Sequence, residues 1–597
     1  MNRLDQVNGQ FASANKSFVS TETVTNADKT YPEIIDHHQT RPIKLDYFNK
    51  QGWGYKDSGF EYDKGVDGIR ITGNRYMYGG QILPGFKPWI VENIGADPDY
   101  VDTPQEDMEV DPPVFNHAFI EALGNDNFSR RSWHKWERIM HSHGATFQEV
   151  FALRRTRFER IADMIIYPNN QEQCVKLVEL ANQHDVVLVP YGGGTNVTQS
   201  LMLQKEELRM IVSVDMSRMT AIKWVDKDNN MACVQTGISG QDLERDLKQY
   251  GVCSGHEPDS QEFSTLGGWI STRASGMKKN TYGNIEDIVI NVNLVTSKGI
   301  YTKVNLWPRI SNGPDLNHIV MGSEGNLGII TEAVIRVKPL PEVRIFDSIL
   351  FHDYETGIKF MWEVSKTKNY PTSIRLVDNS QFTFGATLKP APSSTWEAFV
   401  DKAKKFFVVN IKGYDPDRMA ACTLLFEGDE ASSLANQKVV LDIASRFGGM
   451  SGGPENGMRG YLLTFLIAYT RDFASEHFVA AESFETSCPW SNVASLCSRV
   501  KKRIIEEGAS EGFTADKIWT SFRVTQLYET GAAIYVYFSI QYRDYPQEKI
   551  VDTYEKIENA ARDEVMLCGG CISHHHGVGK LRKRFIDRTL PPMAIEW

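Results

Sequence analysis

Along this chain the spacing of apolar side chains changes period several times. Residues 161–167 form a short apolar run, 170–184 carry apolar side chains at helical spacing, and 186–189 are β-branched. That succession predicts a strand, a helix and a strand. Further β-rich stretches follow at 210–214, 231–235 and 289–295, and the same texture holds to about residue 338. From 342 to about 542, helical patterns such as 397–405 and 492–507 alternate with strand patterns such as 532–541. A last helix is predicted over 549–564, ahead of a turn at Gly569-Gly570. Residues 46–155 are rich in aromatics, among them Trp53, Tyr62, Tyr76, Tyr78, Phe86 and Trp89, and read as an accessory unit wrapped on the main body. Residues 1–45 are polar without a sustained apolar period and read as a poorly ordered leader. The chain thus divides into a leader (1–45), an accessory region (46–155), an α+β unit (156–340), a second α+β unit placed to cap a ligand (341–545) and a C-terminal segment (546–597).

At 597 residues the chain is too long for one ordinary core, and 41% hydrophobic with 24% charged residues is the composition of a folded protein. A net charge of −11 leaves no global basic field, which argues against nucleic acid as a partner. The longest apolar run, 461–469, is bounded by Arg459 and Arg471, whereas a bilayer needs about 20 residues. It reads as a buried strand or core helix, so any membrane contact has to be peripheral. The eight scattered cysteines suggest free thiols in a reducing compartment. Cys568-Gly-Gly-Cys571 has the spacing of a redox or zinc half-site, but no second pair completes four ligands, and no metal is expected.

Three stretches are suited to holding a cofactor. Pro190-Tyr191-Gly192-Gly193-Gly194-Thr195-Asn196 follows an apolar strand, and its glycines free the backbone to approach an anion. Alone, such a cluster is more often just a turn, and it matches neither the P-loop nor the GxGxxG spacing. The second stretch runs through Asp259-Ser260-Gln261-Glu262-Phe263-Ser264-Thr265 and continues at Thr272-Arg273-Ala274-Ser275. The third is Glu324-Gly325-Asn326-Leu327-Gly328-Ile329-Ile330, a glycine turn leading into a β-branched strand.

Reaction chemistry has to be sought in the capping half. His574-His575-His576 places three imidazoles beside a glycine turn, and imidazole suits proton transfer near neutral pH. On an extended segment at most two of them could share a site, and a metal cluster or a surface run are the plainer readings. Tyr535 and Tyr537 share one face of a predicted strand, which is also the pattern of a half-buried aromatic stripe. Arg471 follows the apolar run and reads either as an element-end charge or as a phosphate clamp. Arg375 alternates with Ile374 and Leu376, and on pattern alone it faces solvent.

Taken together in this order and spacing, the three glycine- and hydroxyl-rich stretches resemble the cofactor domain of the vanillyl-alcohol-oxidase flavoproteins. The resemblance implies an α+β fold, with a two-subdomain FAD-binding domain at 156–340 under an α+β cap. In it Pro190 to Asn196 would hold the FAD pyrophosphate, and the second and third stretches would surround the ring and adenosine portions. The phrases at 263–280 and 459–464 further resemble the alkyldihydroxyacetonephosphate synthase family, with a likeness running from about 151 to 583. That implies a transferase of ether-lipid (plasmalogen) synthesis that exchanges the acyl chain of 1-acyl-dihydroxyacetone phosphate for a long-chain fatty alcohol. FAD would serve as a covalent N5 trap, without net oxidation.

By the same resemblance Tyr535 takes and returns the C1 proton and Arg471 binds the substrate phosphate. His574, His575 and His576 tune the tyrosine or the alcohol, and Arg375 positions a loop over the flavin. A neighbouring arginine or imidazolium is expected to lower the Tyr535 pKa. The family also implies a homodimer on the lumenal face of the peroxisomal membrane, near a dihydroxyacetone-phosphate acyltransferase, although Ile595-Glu596-Trp597 is not a Ser-Lys-Leu address. The competing readings are a D-2-hydroxyacid dehydrogenase and a flavin-binding scaffold without turnover. The dehydrogenases carry a His-Gly-Asp-Gly-Asn metal stretch where this chain has Ala533-Ile534-Tyr535-Val536-Tyr537, which disfavours the first.

Overall fold

The computed structural model describes residues 46–124, 128 and 130–596, together with the backbone of short strands at 18–19, 23–26, 29–32 and 34–36. The expected strand, helix and strand are Met164–Tyr167, Gln171–Gln183 and Val187–Tyr191. Asn170 caps the helix by accepting the Gln173 N–H, and Cys174, Leu177, Leu180 and Ala181, at helical spacing, are its buried face. Ile211–Asp215 lies parallel between the two strands in a six-stranded sheet. The antiparallel half of that sheet includes Arg130–Ser132 and, from the leader expected to be irregular, Ile34–Asp36. The rest of the expected leader lies largely outside the described residues. A second, five-stranded antiparallel sheet, with Val289–Thr296 and Ile329–Arg336 at its heart, completes the lower half of the molecule.

The cap is a seven-stranded antiparallel sheet ordered Met450–Ser451, Val343–Phe351, Ala420–Gly428, Ser373–Val377, Ile518–Leu527, Gly531–Gln541, Val479–Pro489. Strand alternation divides its side chains between two faces. Ile374, Leu376, Phe484, Phe522, Val524, Ile534, Val536 and Phe538 enter the main apolar core, covered by helices that include Val493–Ser510 and Gln547–Leu567. Their alternates Arg375, Glu485, Arg523, Tyr535 and Tyr537 therefore share the opposite face. That face meets the lower half rather than water, so Arg375 is buried, 4% exposed, and the solvent-facing reading is corrected.

The apolar run at 461–469 is helical, shared between Pro454–Leu462, Leu463–Leu466 and Ile467–Ser475. In the accessory region Phe60, Ile69, Ile71, Leu83, Phe86 and Trp89 form one core with Leu466, Tyr469, Phe473 and Val479, fastening it to the cap. Among the described residues no helix is long and apolar enough to cross a membrane.

Candidate active site

A cavity of about 630 Å³ lies between the two halves. All of Pro190 to Asn196 line it, at the carboxyl end of the parallel strand Val187–Tyr191, where open α/β sheets take their ligands. The glycines are required by close approach. A Cβ on Gly192 would lie 2.4 Å from Thr265 Oγ1, and one on Gly193 would lie 2.2 Å from the Phe263 carbonyl oxygen. Asp259, Ser260, Glu262, Phe263, Ser264, Thr265, Thr272, Ala274 and Ser275 line the same cavity, as do Glu324, Gly325, Asn326, Gly328, Ile329 and Ile330. Three expected residues are not among its walls. Gln261 is half-buried away from it, Arg273 caps a helix at φ 54° and reaches Glu286 at 3.7 Å, and Leu327 is exposed. A backbone cradle with no room for Cβ atoms, together with a buried Asn196 Nδ2 on the wall that has no hydrogen-bond partner among the described residues, fits an extended phosphate-bearing cofactor.

Across the cavity the strand register sets one row. Tyr535 stands directly opposite Arg523 on one side and Glu485 on the other. Its hydroxyl lies 2.8 Å from His575 Nε2 and 3.1 Å from His576 Nε2. The Tyr537 ring stacks alongside, with centroids 5.7 Å apart, and the Arg523 guanidinium sits 5.2 Å from both ring centroids while donating to the Tyr537 hydroxyl. Arg375 donates to Thr464 and, at 2.9 Å, to Asp259 Oδ1, while Arg523 reaches Asp259 Oδ2 at 3.5 Å. Burial opposes ionisation of Asp259, but the two arginines hold its carboxyl below the usual range. Arg375 thus meets the cavity wall through Asp259 and does not itself line the cavity.

The histidine run is not an extended segment. It curls round the Glu485 carboxylate, which accepts the backbone N–H of His574, His575 and His576 at 3.2, 2.9 and 2.6 Å and pairs with Arg582 at 3.0 Å. Glu324 accepts the N–H of Val578 and Gly579, tying the run to the lower half. His575 and His576 face the cavity, whereas His574 turns to the Tyr528 hydroxyl at 2.7 Å. Burial pushes all three imidazoles down, to about 3, 3 and 4, so they are neutral at pH 7.

Tautomers follow from partners. An arginine only donates, so the 3.5 Å contact of Arg582 with His576 Nδ1 assigns the His576 proton to Nε2, which donates to Tyr535. Tyr535 in turn donates to His575 Nε2. The expectation of a lowered Tyr535 pKa is corrected. Burial, with Asp259 next, pushes the phenol well above its ordinary value, no imidazolium is present, and Arg523 alone among the named neighbours opposes the rise.

Arg471, on the helix Ile467–Ser475, lines the cavity and donates to the Ala145 carbonyl, while its Nε has no hydrogen-bond acceptor among the described residues and its Nη2 faces Asp472 Oδ1 at 3.7 Å. Beside it Glu482 is pushed up to about 8, by burial and then by Glu558. Arg523, Glu482 and Glu485 were not identified from sequence. Arg523 alternates with Phe522 and Val524 just as Arg375 does with its neighbours, which was a usable signal, but the glutamates carried none.

Comparison with known proteins agrees with this architecture. Residues 162–305 match the FAD binding domain family, and 340–597 match the C-terminal domain of FAD linked oxidases, so FAD is the cofactor. The chain is 42% identical to an alkyldihydroxyacetonephosphate synthase of Caenorhabditis elegans, over 94% of each chain. It is 32% identical to one of Trypanosoma brucei brucei, over 78% of this chain and 75% of that one. A solved alkyldihydroxyacetonephosphate synthase structure superposes with a TM-score of 0.79 at 27% identity, covering 92% of this chain and 97% of the other. With FAD-binding architecture and this degree of likeness over nearly its whole length, the chain belongs to the alkyldihydroxyacetonephosphate synthase family.

Proposed function

We propose that the chain replaces the acyl chain of a 1-acyl-dihydroxyacetone phosphate with a long-chain fatty alcohol, forming an ether bond. The observation that carries this reading is the Tyr535 hydroxyl on the cavity wall, held between an accepting His575 and a donating His576. FAD, bound through the 190–196 loop and the 259–275 wall, supplies an acceptor for the C1 carbon without net oxidation.

The chain's own residues do the rest. Tyr535 takes the C1 proton as its own passes to His575 Nε2, so that the high phenol pKa is offset by a neutral imidazole ready to accept. His576 Nε2–H and the Arg523 guanidinium steady the oxygen as negative charge develops on it. Arg471, whose Nε has no hydrogen-bond partner among the described residues and whose Nη2 has the Asp472 carboxylate at 3.7 Å, offers its guanidinium to the substrate phosphate. Phe86, Trp89, Ile90, Phe384, Phe465 and Trp519 give the cavity an apolar arm suited to an alkyl chain.

The helix Thr395–Phe406 buries none of its side chains, and Trp396, Phe399, Phe406, Phe407 and Ile411 are exposed beside Lys404, Lys405 and Lys412. Such a surface suits peripheral contact with a lipid layer. From the family we assign the protein to the lumenal face of the peroxisomal membrane, as a homodimer near a dihydroxyacetone-phosphate acyltransferase. Incubation of the FAD-loaded protein with acyl-dihydroxyacetone phosphate and hexadecanol, with products identified by mass, tests the reading. Alkyl ether and free fatty acid are expected in equal amounts, and substrate left intact contradicts it.

A further inference from the structure

On the reading above, the exchange has a proton to dispose of. The alcohol gives up its O–H hydrogen, and the fatty acid departs as a carboxylate at neutral pH. One proton per turnover therefore has to leave a site where Tyr535 is only 8% exposed.

A continuous row of hydrogen bonds leads away from that hydroxyl. Tyr535 Oη lies 2.8 Å from His575 Nε2, His575 Nδ1 lies 2.8 Å from His574 Nδ1, and His574 Nε2 lies 2.7 Å from Tyr528 Oη. Tyr528 then donates to Gln526 Oε1 at 3.2 Å. The Gln526 amide is fixed in that sense, because its Nε2 donates to the Gly276 carbonyl at 3.0 Å. With both imidazoles neutral, every link has one donor and one acceptor, and all of them point the same way, from Tyr535 to Tyr528. Tyr528 is half-buried, its hydroxyl also has the Ser275 and Asn284 side chains as hydrogen-bond partners, and Glu529 and Thr530 next to it in sequence are exposed. Lys279 stands 3.7 Å from its ring centroid, and Glu286 and Asp287 are the acids whose charge also reaches it.

We infer that His575, His574 and Tyr528 conduct the proton from Tyr535 to the surface turn at 529–530, with Tyr528 as the exit residue. The transfers balance. The Tyr535 O–H bond breaks as His575 Nε2–H forms, and His575 Nδ1–H is given to His574 Nδ1. His574 Nε2–H is then given to Tyr528 Oη, whose former proton passes to water. Both imidazoles end as the opposite neutral tautomer, and ring rotation or a returning proton resets them. His576, whose proton points at Tyr535, is outside the path and serves only to hold the phenolate.

The test uses the full-length FAD-loaded protein and acyl-dihydroxyacetone phosphate deuterated at C1, following both alkyl ether formation and release of deuterium into water. Tyr528→Phe keeps the ring and removes the hydroxyl. Turnover and label release are expected to fall about 100-fold, with flavin content and substrate KM unchanged and an enlarged solvent isotope effect. His574→Ala is expected to lose activity that imidazole in the buffer restores with saturation, a response that a purely structural histidine would not give. Wild-type turnover and label release in Tyr528→Phe overturn the relay, as does a His574→Ala enzyme that imidazole fails to restore. If Tyr528→Phe fails to fold, the imidazole response of His574→Ala decides. Tyr535→Phe separates the two levels, because full activity there removes the underlying reading, whereas inactivity beside a fully active Tyr528→Phe removes the relay alone.

Discussion

Burial works against the base role proposed for Tyr535, and the neighbouring imidazole would compensate. A phenol pushed well above its ordinary pKa gives up a proton only where an acceptor is already hydrogen-bonded to it, and His575 Nε2 is that acceptor. Tyr535→Phe is expected to retain the flavin spectrum and to lose exchange by about 100-fold or more, measured as alkyl ether per minute. Glu482 provides a separate check through pH. Its carboxyl is pushed up to about 8 by burial, above the ordinary 4.5, so its contribution to stability is fully present below about 4.5 and is lost as pH rises through about 8. Glu482→Gln is expected to flatten the fall in denaturation midpoint across that window, and an unchanged pH profile counts against the assignment. Of these residues, Tyr535 and the histidine run could be read from sequence because aromatic and imidazole side chains stood out at a strand and a glycine turn. Glu485 could not, since its importance lies in a carboxylate that gathers three backbone N–H groups from a segment almost ninety positions away.

Elements set these residues in place more than local preference does. Antiparallel pairing puts Arg523, Tyr535 and Glu485 in one row, and period-two alternation separates them from the apolar core behind. The alternation of Arg375 with Ile374 and Leu376 was evident, but its polar face was assigned to water because sequence does not say what covers a sheet. The run at 461–469 reads equally as strand or helix from sequence for a similar reason, since short apolar runs have no distinctive period. The glycine loop was better specified, because only glycine tolerates its approach to 263–265. Gly193→Ala, with a Cβ meeting the Phe263 carbonyl oxygen at 2.2 Å, is expected to purify folded with little or no flavin. Flavin absorbance against circular dichroism checks it, and a fully loaded variant contradicts the cradle.

At the scale of the molecule, a cofactor half and a cap enclose one cavity, and an exposed aromatic and lysine-bearing helix lies on the outside of the cap. Replacing Trp396 and Phe399 together by serine is expected to reduce co-sedimentation with anionic vesicles while leaving turnover of a short-chain, soluble substrate unchanged. Retained vesicle binding would move the lipid contact elsewhere. The cap's enclosure of the flavin side was legible as a change of texture near residue 340, whereas the way the C-terminal segment returns to that cavity depended on Glu324 and Glu485, contacts that no local pattern announces. The most direct test of the central claim is an anaerobic mixing experiment, with palmitoyl-dihydroxyacetone phosphate added first and hexadecanol second, following the flavin spectrum and the products by mass. A spectrum perturbed by the first addition and restored by the second is expected, with alkyl ether formed and no electron acceptor required. Bleaching only by a hydroxyacid, reversed only by an electron acceptor, would contradict it.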